Sequence, residues 1–324
     1  MVEADEYAGN FDAYRPAHAI VTNLDWDHPD VFEDRDAVVA AVEGWLRKAA
    51  EGDRQPILYA NVADPGVADL VGRLGEGWPG RVVVTALVDD AAGARDPTGD
   101  APALVGRIVA TDPDSTTMEI TGSALGPTAR RLDVKLGLVG RHNAANALGV
   151  AAVALGLGVP PELVATALPG FRGVGRRLER KGEAAGVVVF DDYGHHPTAI
   201  RATLAAVRQR APGRRVWAVY EPLTFHRTAA LLDQFADVLA TADAVAIADI
   251  WAGRDPDTTV ASAEGLASAV AARNPRILVA APGSVEATAS WLAGQVASGD
   301  AVLVMGGGRS YVIGERLLEL LADR

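Results

Sequence analysis

Polar residues follow the first predicted strand at a spacing that suits a metal ion. That strand leads into TNLDWDHPD (22–30), and the acidic run VEADEY opens the chain. Carboxylate and imidazole groups at the carboxyl end of a strand lie where α/β proteins bind ligands. Such donors suit Mg²⁺, which takes one or two protein ligands and keeps several waters. The alternative is that Asp27 and Asp30 cap the next helix and His28 is only exposed.

A second candidate site opens a predicted helix in GRHNAANALG (140–149), where a glycine turn precedes His142, Asn143 and Asn146. The two asparagines are three residues apart and therefore share one helix face. Amide groups both donate and accept hydrogen bonds, which matches the edge of a purine. The alternative is that asparagine at this position caps the helix.

Two further segments combine charged residues with turns. In GVGRR (173–177), Arg176 and Arg177 suit a clamp on phosphate or ribose. The run DDYGHHPT (191–198) follows a strand and enters a helix at Pro197, as proline often does at a first helical position. Its paired histidines raise zinc as an alternative, which the missing HxxxH spacing and the absence of cysteine disfavour.

Two strand ends in the second half offer contacts to an anion. In EPLTFHRT (221–228), His226 and Arg227 are placed to contact an anionic substrate, or else form a solvated helix start. GGGR (306–309) presents backbone N–H groups to an anion, or else is a turn packed closely on its sheet. The pattern GxxxxGK[ST] is absent, and none of the three lysines lies in a glycine-rich loop. No visible element therefore cradles β- and γ-phosphates.

The elements that position these residues alternate between short apolar strands and amphipathic helices, which is typical of α/β proteins with largely parallel sheets. The second half is the more regular, and residues 171–324 are predicted to form one doubly wound domain. Its predicted strands are 187–190, 216–220, 244–250, 277–281 and 301–305. Its predicted helices are 197–211, 228–242, 262–273, 284–298 and 314–323.

The first half, residues 1–170, forms the other predicted domain and is less regular. Its predicted elements are strands 18–24, 56–61 and 81–87, helix 36–50, an antiparallel excursion within 88–130, a further alternating strand and a helix from residue 142. The segment FRGVGRR (171–177) is interpreted as the hinge between the two domains.

Composition excludes several classes of protein. The formal charge is −12, from 42 acidic and 30 basic residues, which argues against nucleic acid or an anionic membrane as the main partner. The absence of cysteine excludes disulfides and thiolate metal sites. The first residues lack a signal-peptide pattern, and no apolar run reaches the roughly 18 residues of a membrane helix. A soluble, cytoplasmic protein is expected.

Taken in order, the motifs EADE, TNLDWDH, GRHNAANA, GVGRR, DDYGHHPT and EPLTFHRT resemble the Mur ligases of peptidoglycan synthesis. The resemblance implies an incomplete central ATPase-type domain followed by a Rossmann-like C-terminal domain. It also implies an ATP- and Mg²⁺-dependent ligase that joins an amino acid or short peptide to the carboxylate of UDP-N-acetylmuramate through an acyl phosphate. Closure of the two domains about the hinge is expected.

The resemblance also implies roles for individual residues. It implies that Mg²⁺ contacts Glu3 and His28. It implies that ATP contacts His142, Asn143, Asn146, Arg176, Arg177 and Asp192. The acceptor and the muramoyl carboxylate are implied to be positioned by Tyr193, His195 and Arg227.

Two departures from the family pattern bear on function. The UDP-sugar domain and the P-loop that precede EADE in the family are absent from this sequence, so we expect the chain to lack ligase activity by itself, unless a P-loop-bearing segment or chain joins it. Leu223 and Thr224 stand where alanine-adding members carry a His-Arg pair, and Glu221 replaces their glutamine. L-Alanine is the expected acceptor, the tripeptide L-alanyl-γ-D-glutamyl-meso-diaminopimelate is an alternative, and a non-catalytic nucleotide- or partner-binding remnant is another.

Overall fold

The computed structural model describes residues 1–89, 103–126, 129–253 and 255–324. The chain divides into two compact units, Met1–Arg172 and Gly173–Arg324. The predicted boundary after residue 170 lies two residues from this division. Part of the predicted antiparallel excursion, residues 90–102 and 127–128, lies outside the described residues.

The first unit contains a six-stranded mixed sheet with the strand order β1-β2-β3-β4-β5-β6. The first four strands are parallel, whereas β5 pairs antiparallel with β4 and β6. The elements are β1 (His18–Val21), α1 (Arg35–Ala49), β2 (Ile57–Asn61), α2 (Pro65–Leu74), β3 (Arg81–Val88), β4 (Ala103–Asp112), β5 (Ser115–Thr121), β6 (Arg131–Leu136), α3 (Arg141–Gly156) and α4 (Pro161–Ala167). The antiparallel excursion is confirmed for the described residues.

Helices cover both faces of this sheet. α1 begins after Asp34, whose carboxylate accepts a hydrogen bond from the backbone N–H of Ala37. Its apolar residues recur at helical spacing, so Val39, Val42 and Leu46 are buried against the sheet together with α2. The other face packs against α3 and α4. The sequence HPDVFEDR leads into α1 with Asp34 as the cap, so the alternative that Asp27 and Asp30 cap this helix is wrong.

The second unit contains another six-stranded sheet, with the order β11-β10-β9-β12-β8-β7. All neighbours are parallel except β7 and β8. The elements are β7 (Glu179–Ala184), β8 (Val187–Asp192), α5 (Pro197–Arg210), β9 (Val216–Tyr220), α6 (Phe225–Ala230), α7 (Leu232–Leu239), β10 (Ala244–Ala248), α8 (Ala263–Arg273), β11 (Leu278–Gly283), α9 (Val285–Ala293), β12 (Ala301–Met305) and α10 (Tyr311–Ala322). The predicted doubly wound architecture is confirmed.

Two details of this unit differ from the prediction. The edge strand β7 was missed, because ERKGEA is polar and has no apolar alternation. The helix predicted over 228–242 is instead two helices, which meet at Leu231, where φ is −107° and ψ is 18°. α5, α7 and α8 pack together, whereas α9 and α10 form a core with the opposite side of the strands. The five parallel strands thereby bring their carboxyl ends to one edge.

Among the described residues, no helix is long and apolar enough to cross a membrane.

Candidate functional site

An acidic cluster surrounds His28 in the first unit. The ligand atoms of Asp5, Glu6 and His28 all lie within 4.8 Å of one another, and the His28 Nε2 is 3.8 Å from a Glu6 oxygen. The Tyr7 ring packs on the imidazole with centroids 4.7 Å apart. Glu3 is exposed and is not a member of this cluster. Two carboxylates and an imidazole fit a divalent cation that prefers oxygen ligands. Asp5 and Glu6 were not predicted as donors from the sequence.

The backbone before His28 is fixed by α2. The Asp64 carboxylate caps α2 by accepting from the Val67 N–H at 3.0 Å, and the same oxygen accepts from the Leu24 N–H at 3.1 Å. Gly66 lies so close to Leu24 that an added Cβ would come within 2.2 Å of the Leu24 carbonyl oxygen. His28 itself adopts a positive φ of 56°, unusual for a residue other than glycine. The helix thus holds the loop that carries His28.

The predicted amide pair opens α3. The Asn143 Nδ2 donates to the Val139 carbonyl at 2.8 Å, so one side of this amide is used locally. Asn146 is exposed, and its side-chain amide has no hydrogen bond to the described residues. His142 lies beside them and is half-buried. The side chain of Asn146 is therefore available for a ligand, and the role of all three residues toward ATP stays a prediction.

Arg176 is the centre of a network in the second unit. Its Nε is 3.1 Å from the Asp191 Oδ2, while its Nη2 donates to the Gly306 carbonyl at 2.9 Å and to the Ser310 Oγ at 3.0 Å. The guanidinium also lies over the rings of Tyr193 and Tyr311, at 5.1 and 5.2 Å from their centroids. Contact with ATP was predicted for this residue and stays untested. The observed contacts give Arg176 a positioning role, joining the ends of β8 and β12.

Arg177 differs from its neighbour because it is exposed. Its guanidinium lies over the Tyr193 ring, with 5.6 Å between the guanidinium carbon and the ring centroid. Tyr193 also packs edge-on against His195, with centroids 5.4 Å apart. The His195 Nδ1 lies 3.0 Å from the Tyr193 carbonyl oxygen, to which it donates. The structure therefore brings together Arg177, Tyr193 and His195, three of the residues predicted for the site.

The two aspartates that end β8 are buried and have different partners. Asp192 accepts from the backbone N–H groups of Leu178 at 2.8 Å and Gly194 at 2.7 Å, which fixes the loops on either side. Asp191 is completely buried, and its Oδ1 has no hydrogen-bond partner among the described residues. Burial raises the pKa of Asp191, and the Arg176 charge opposes this rise only in part. The pair Arg176–Asp191 therefore carries a large desolvation cost.

Glu221 lies under the glycine-rich turn that follows β12. It is 3% exposed, and its Oε2 has no hydrogen-bond partner in the described part of the chain. Burial raises the pKa of Glu221, and hydrogen bonds from the backbone of Ser310 and Arg309 lower it by a smaller amount. The backbone N–H of Arg309, which belongs to the GGGR segment predicted to bind an anion, thus interacts with Glu221. An added Cβ on Gly308 would come within 2.9 Å of the Glu221 Oε2, so the turn is closely packed.

The loops that follow β9 and β10 lie at the edge of the second sheet where the parallel strands end. Leu223 pairs with Trp251 as an isolated bridge, and the Trp251 N–H donates to the Pro222 carbonyl at 2.9 Å. Arg227 is 5% exposed and its Nη1 donates to the Leu223 carbonyl at 3.2 Å. The backbone fold of this loop therefore depends on Arg227. His226 lies beside it and contacts Asp255, a residue that the sequence reasoning did not select.

Comparisons with known proteins agree with this architecture. The sequence profile described as "Mur ligase middle domain" matches residues 2–154, and the profile "Mur ligase, glutamate ligase domain" matches residues 176–308. The chain is 36% identical over 326 residues to a UDP-N-acetylmuramate--L-alanine ligase of Roseiflexus sp. (strain RS-1), with 100% of this chain and 67% of the relative covered. It is 35% identical to the ligase of the same name from Frankia casuarinae, with 99% of this chain and 66% of the relative covered.

Solved structures show the same fold. The UDP-N-acetylmuramate-alanine ligase of Thermotoga maritima superposes with a TM-score of 0.69 at 19% identity, covering 98% of this chain and 62% of that one. A murein peptide ligase of Psychrobacter arcticus gives a TM-score of 0.65 at 24% identity, covering 97% of this chain and 59% of that one.

The chain is therefore an α/β protein of the Mur ligase class, built from the middle and C-terminal domains. It belongs to the Mur ligase family, as the motif order predicted. It spans about two thirds of the length of the curated relatives from Roseiflexus and Frankia.

Proposed function

We propose that this protein is an ATP-dependent ligase that joins the amino group of L-alanine to the carboxylate of UDP-N-acetylmuramate. One observation carries the proposal: relatives of that name align with essentially the whole chain at 35–36% identity. The site residues at the strand ends support it. We also assign the reaction to the cytoplasm, where ATP and UDP-sugars are available.

The residues of the first unit are assigned to the metal and the nucleotide base. Asp5, Glu6 and His28 would hold Mg²⁺, with Glu3 as a further carboxylate in the same segment. Bound Mg²⁺ would offset the negative charge of the phosphates during phosphoryl transfer. Asn146, with its unused amide, would contact adenine. These assignments follow the donor chemistry of each residue.

The residues of the second unit are assigned to ATP and the acceptor. Arg177 is exposed and charged, so it would contact phosphate or ribose, while Asp192 fixes the loop that carries Tyr193. His195 and Tyr193 would position the acceptor, and Arg227 would support the loop after β9. Most of the rate acceleration would come from positioning and from electrostatic stabilisation of the transferring phosphoryl group.

The experiment that tests the proposal uses the protein expressed from its complete gene. Formation of the alanyl product and release of phosphate are measured with ATP, Mg²⁺, UDP-N-acetylmuramate and L-alanine. A second set of reactions replaces alanine with L-alanyl-γ-D-glutamyl-meso-diaminopimelate, because Leu223 and Thr224 replace the His-Arg pair that alanine-adding members carry. Dependence of the product on alanine supports the proposal, whereas preference for the tripeptide or absence of any product refutes it.

The nucleotide assignments are tested on the 324-residue chain by calorimetric titration with Mg-ATP. Arg177→Met should weaken binding about 10-fold or more, because a charge-assisted hydrogen bond contributes about 1.5–3 kcal/mol. Arg180→Met is the matched control, because Arg180 is similarly exposed and forms an ion pair with Glu183 on β7 at 2.7 Å. Equal affinities of the two variants would refute the role of Arg177.

A further inference from the structure

His226 and Asp255 form a pair that joins two loops of the second unit. His226 lies in the first turn of α6, after β9, and Asp255 lies in the loop after β10. One Asp255 oxygen is 3.2 Å from the His226 Nδ1, and the other accepts from the His226 backbone N–H at 2.9 Å. Both carboxylate oxygens therefore contact the same residue, which fixes the orientation of the imidazole.

This arrangement defines which nitrogen of the ring is basic. A carboxylate accepts hydrogen bonds, so the neutral imidazole carries its proton on Nδ1 and has a lone pair on Nε2. Within the described ranges the Nε2 has no hydrogen-bond partner, and the His226 side chain is 41% exposed while that of Asp255 is 13% exposed. Of the residues that the structure describes, Asp255 contacts His226 directly and Asp257 lies near it without direct contact.

The pair lies at the edge where the site residues are found. Leu223 and Trp251, which belong to the same two loops, pair with each other. An added Cβ on Gly307 would come within 2.7 Å of Leu223 and 3.5 Å of the Tyr193 hydroxyl. The loops that carry His226 and Asp255 are thus continuous with the surface that presents Tyr193.

We propose that His226, oriented by Asp255, is the base that accepts a proton from the ammonium group of the acceptor. This rests on the proposed ligase function. The His226 Nε2 removes one proton from the ammonium, and the nitrogen lone pair then forms a C–N bond to the carbonyl carbon of the acyl phosphate. The C–O bond to phosphate breaks, the phosphate leaves with the electron pair, and it takes the second N–H proton. Asp255 stabilises the imidazolium that forms.

The test compares two nucleophiles in the protein expressed from its complete gene. Alanine is protonated at neutral pH and needs a base, whereas hydroxylamine is largely unprotonated and does not. His226→Gln should lower kcat/KM for alanine about 10²- to 10⁴-fold at neutral pH and leave hydroxamate formation unchanged. The remaining alanine activity should rise with pH in proportion to the fraction of free amine.

Two variants of the loop after β10 distinguish the orientation of the His226 imidazole from the effect of nearby negative charge. In Asp255→Asn, the new amide NH₂ donates to the His226 Nδ1, so the imidazole proton moves to Nε2. Alanine activity should therefore fall while hydroxamate formation persists. Asp257→Asn is the matched control, because Asp257 bonds Thr259 at 2.6 Å and does not touch the ring. ¹⁵N NMR of the 324-residue chain should show the Nδ1–H tautomer, and Asp255→Asn should reverse it.

Each outcome has a distinct meaning. Loss of alanine and hydroxylamine activity together in His226→Gln would show a structural role and overturn the inference, as would unchanged alanine activity. An Nε2–H tautomer in the unsubstituted chain would also overturn it. If the unsubstituted protein formed neither product, the proposed ligase function would itself fail, and the inference with it.

Discussion

Replacing Arg176 by methionine should destabilise the second unit strongly. The substitution keeps an apolar side chain between Tyr193 and Tyr311 but leaves Asp191, whose side chain is 1% exposed, without its ion-pair partner. Leaving a buried charge unpaired costs about 3–5 kcal/mol, and the lost hydrogen bonds to Gly306 and Ser310 add about 1 kcal/mol each. We therefore expect a loss of about 5–7 kcal/mol in the free energy of unfolding.

The assay is denaturant unfolding combined with amide hydrogen exchange. Exchange isolates the second unit, because the amides of β8 and of the turn after β12 report its local stability. Asp191→Asn alone should cost less than the arginine substitution, because the charge that it leaves unpaired is that of Arg176, whose side chain is 27% exposed and keeps access to water. In the double variant the two effects should not add, and a coupling energy of about 2 kcal/mol or more is expected for groups in direct contact.

Arg177→Met is the matched control for stability. Arg177 is adjacent in sequence and exposed, so its replacement should change the free energy of unfolding by about 0.5 kcal/mol or less. If Arg176→Met were no more destabilising than Arg177→Met, or if the double variant lost the sum of the single effects, the positioning role of Arg176 would be refuted.

Two more predictions concern burial and close packing. Glu221→Gln should raise the melting temperature at pH 7, because burial raises the pKa of Glu221 and each unit of that rise destabilises the charged form by about 1.4 kcal/mol. A carboxyl group with a raised pKa in the folded protein lowers the stability of that protein as the pH increases through the pKa. The melting temperatures of Glu221→Gln and of the unsubstituted protein should therefore converge in acid. A difference between them that grew in acid would contradict this sign. Gly66→Ala should lower the free energy of unfolding by about 1–3 kcal/mol, because the added Cβ would collide with the Leu24 carbonyl. Gly72→Ala in the same helix adds its Cβ to open space and should raise the free energy of unfolding by about 0.5–1 kcal/mol. Equal melting temperatures of these two variants would show that the loop carrying Leu24 and His28 moves freely away from α2.

The apolar strands and amphipathic helices were predictable because their signal is local. Strands 216–220 and 301–305 were predicted at their observed bounds, since a completely buried strand is a continuous apolar run bounded by turns. β7 was not predictable in this way, because an edge strand with one partner tolerates a polar sequence. The break at Leu231 was also missed, because the apolar spacing continues across it.

The sequence by itself determined the family, through the order of its motifs, and the positions of polar residues at strand ends. Tertiary structure decided which of those residues meet. Adjacent arginines read alike in the sequence, yet Arg176 is held by Asp191 and the turn after β12 while Arg177 is exposed. Likewise Asp255 is 29 residues from His226 along the chain. Only the parallel pairing of β9 with β10 brings their loops together, and such long-range pairing depends on the register of the sheet, which no local pattern encodes.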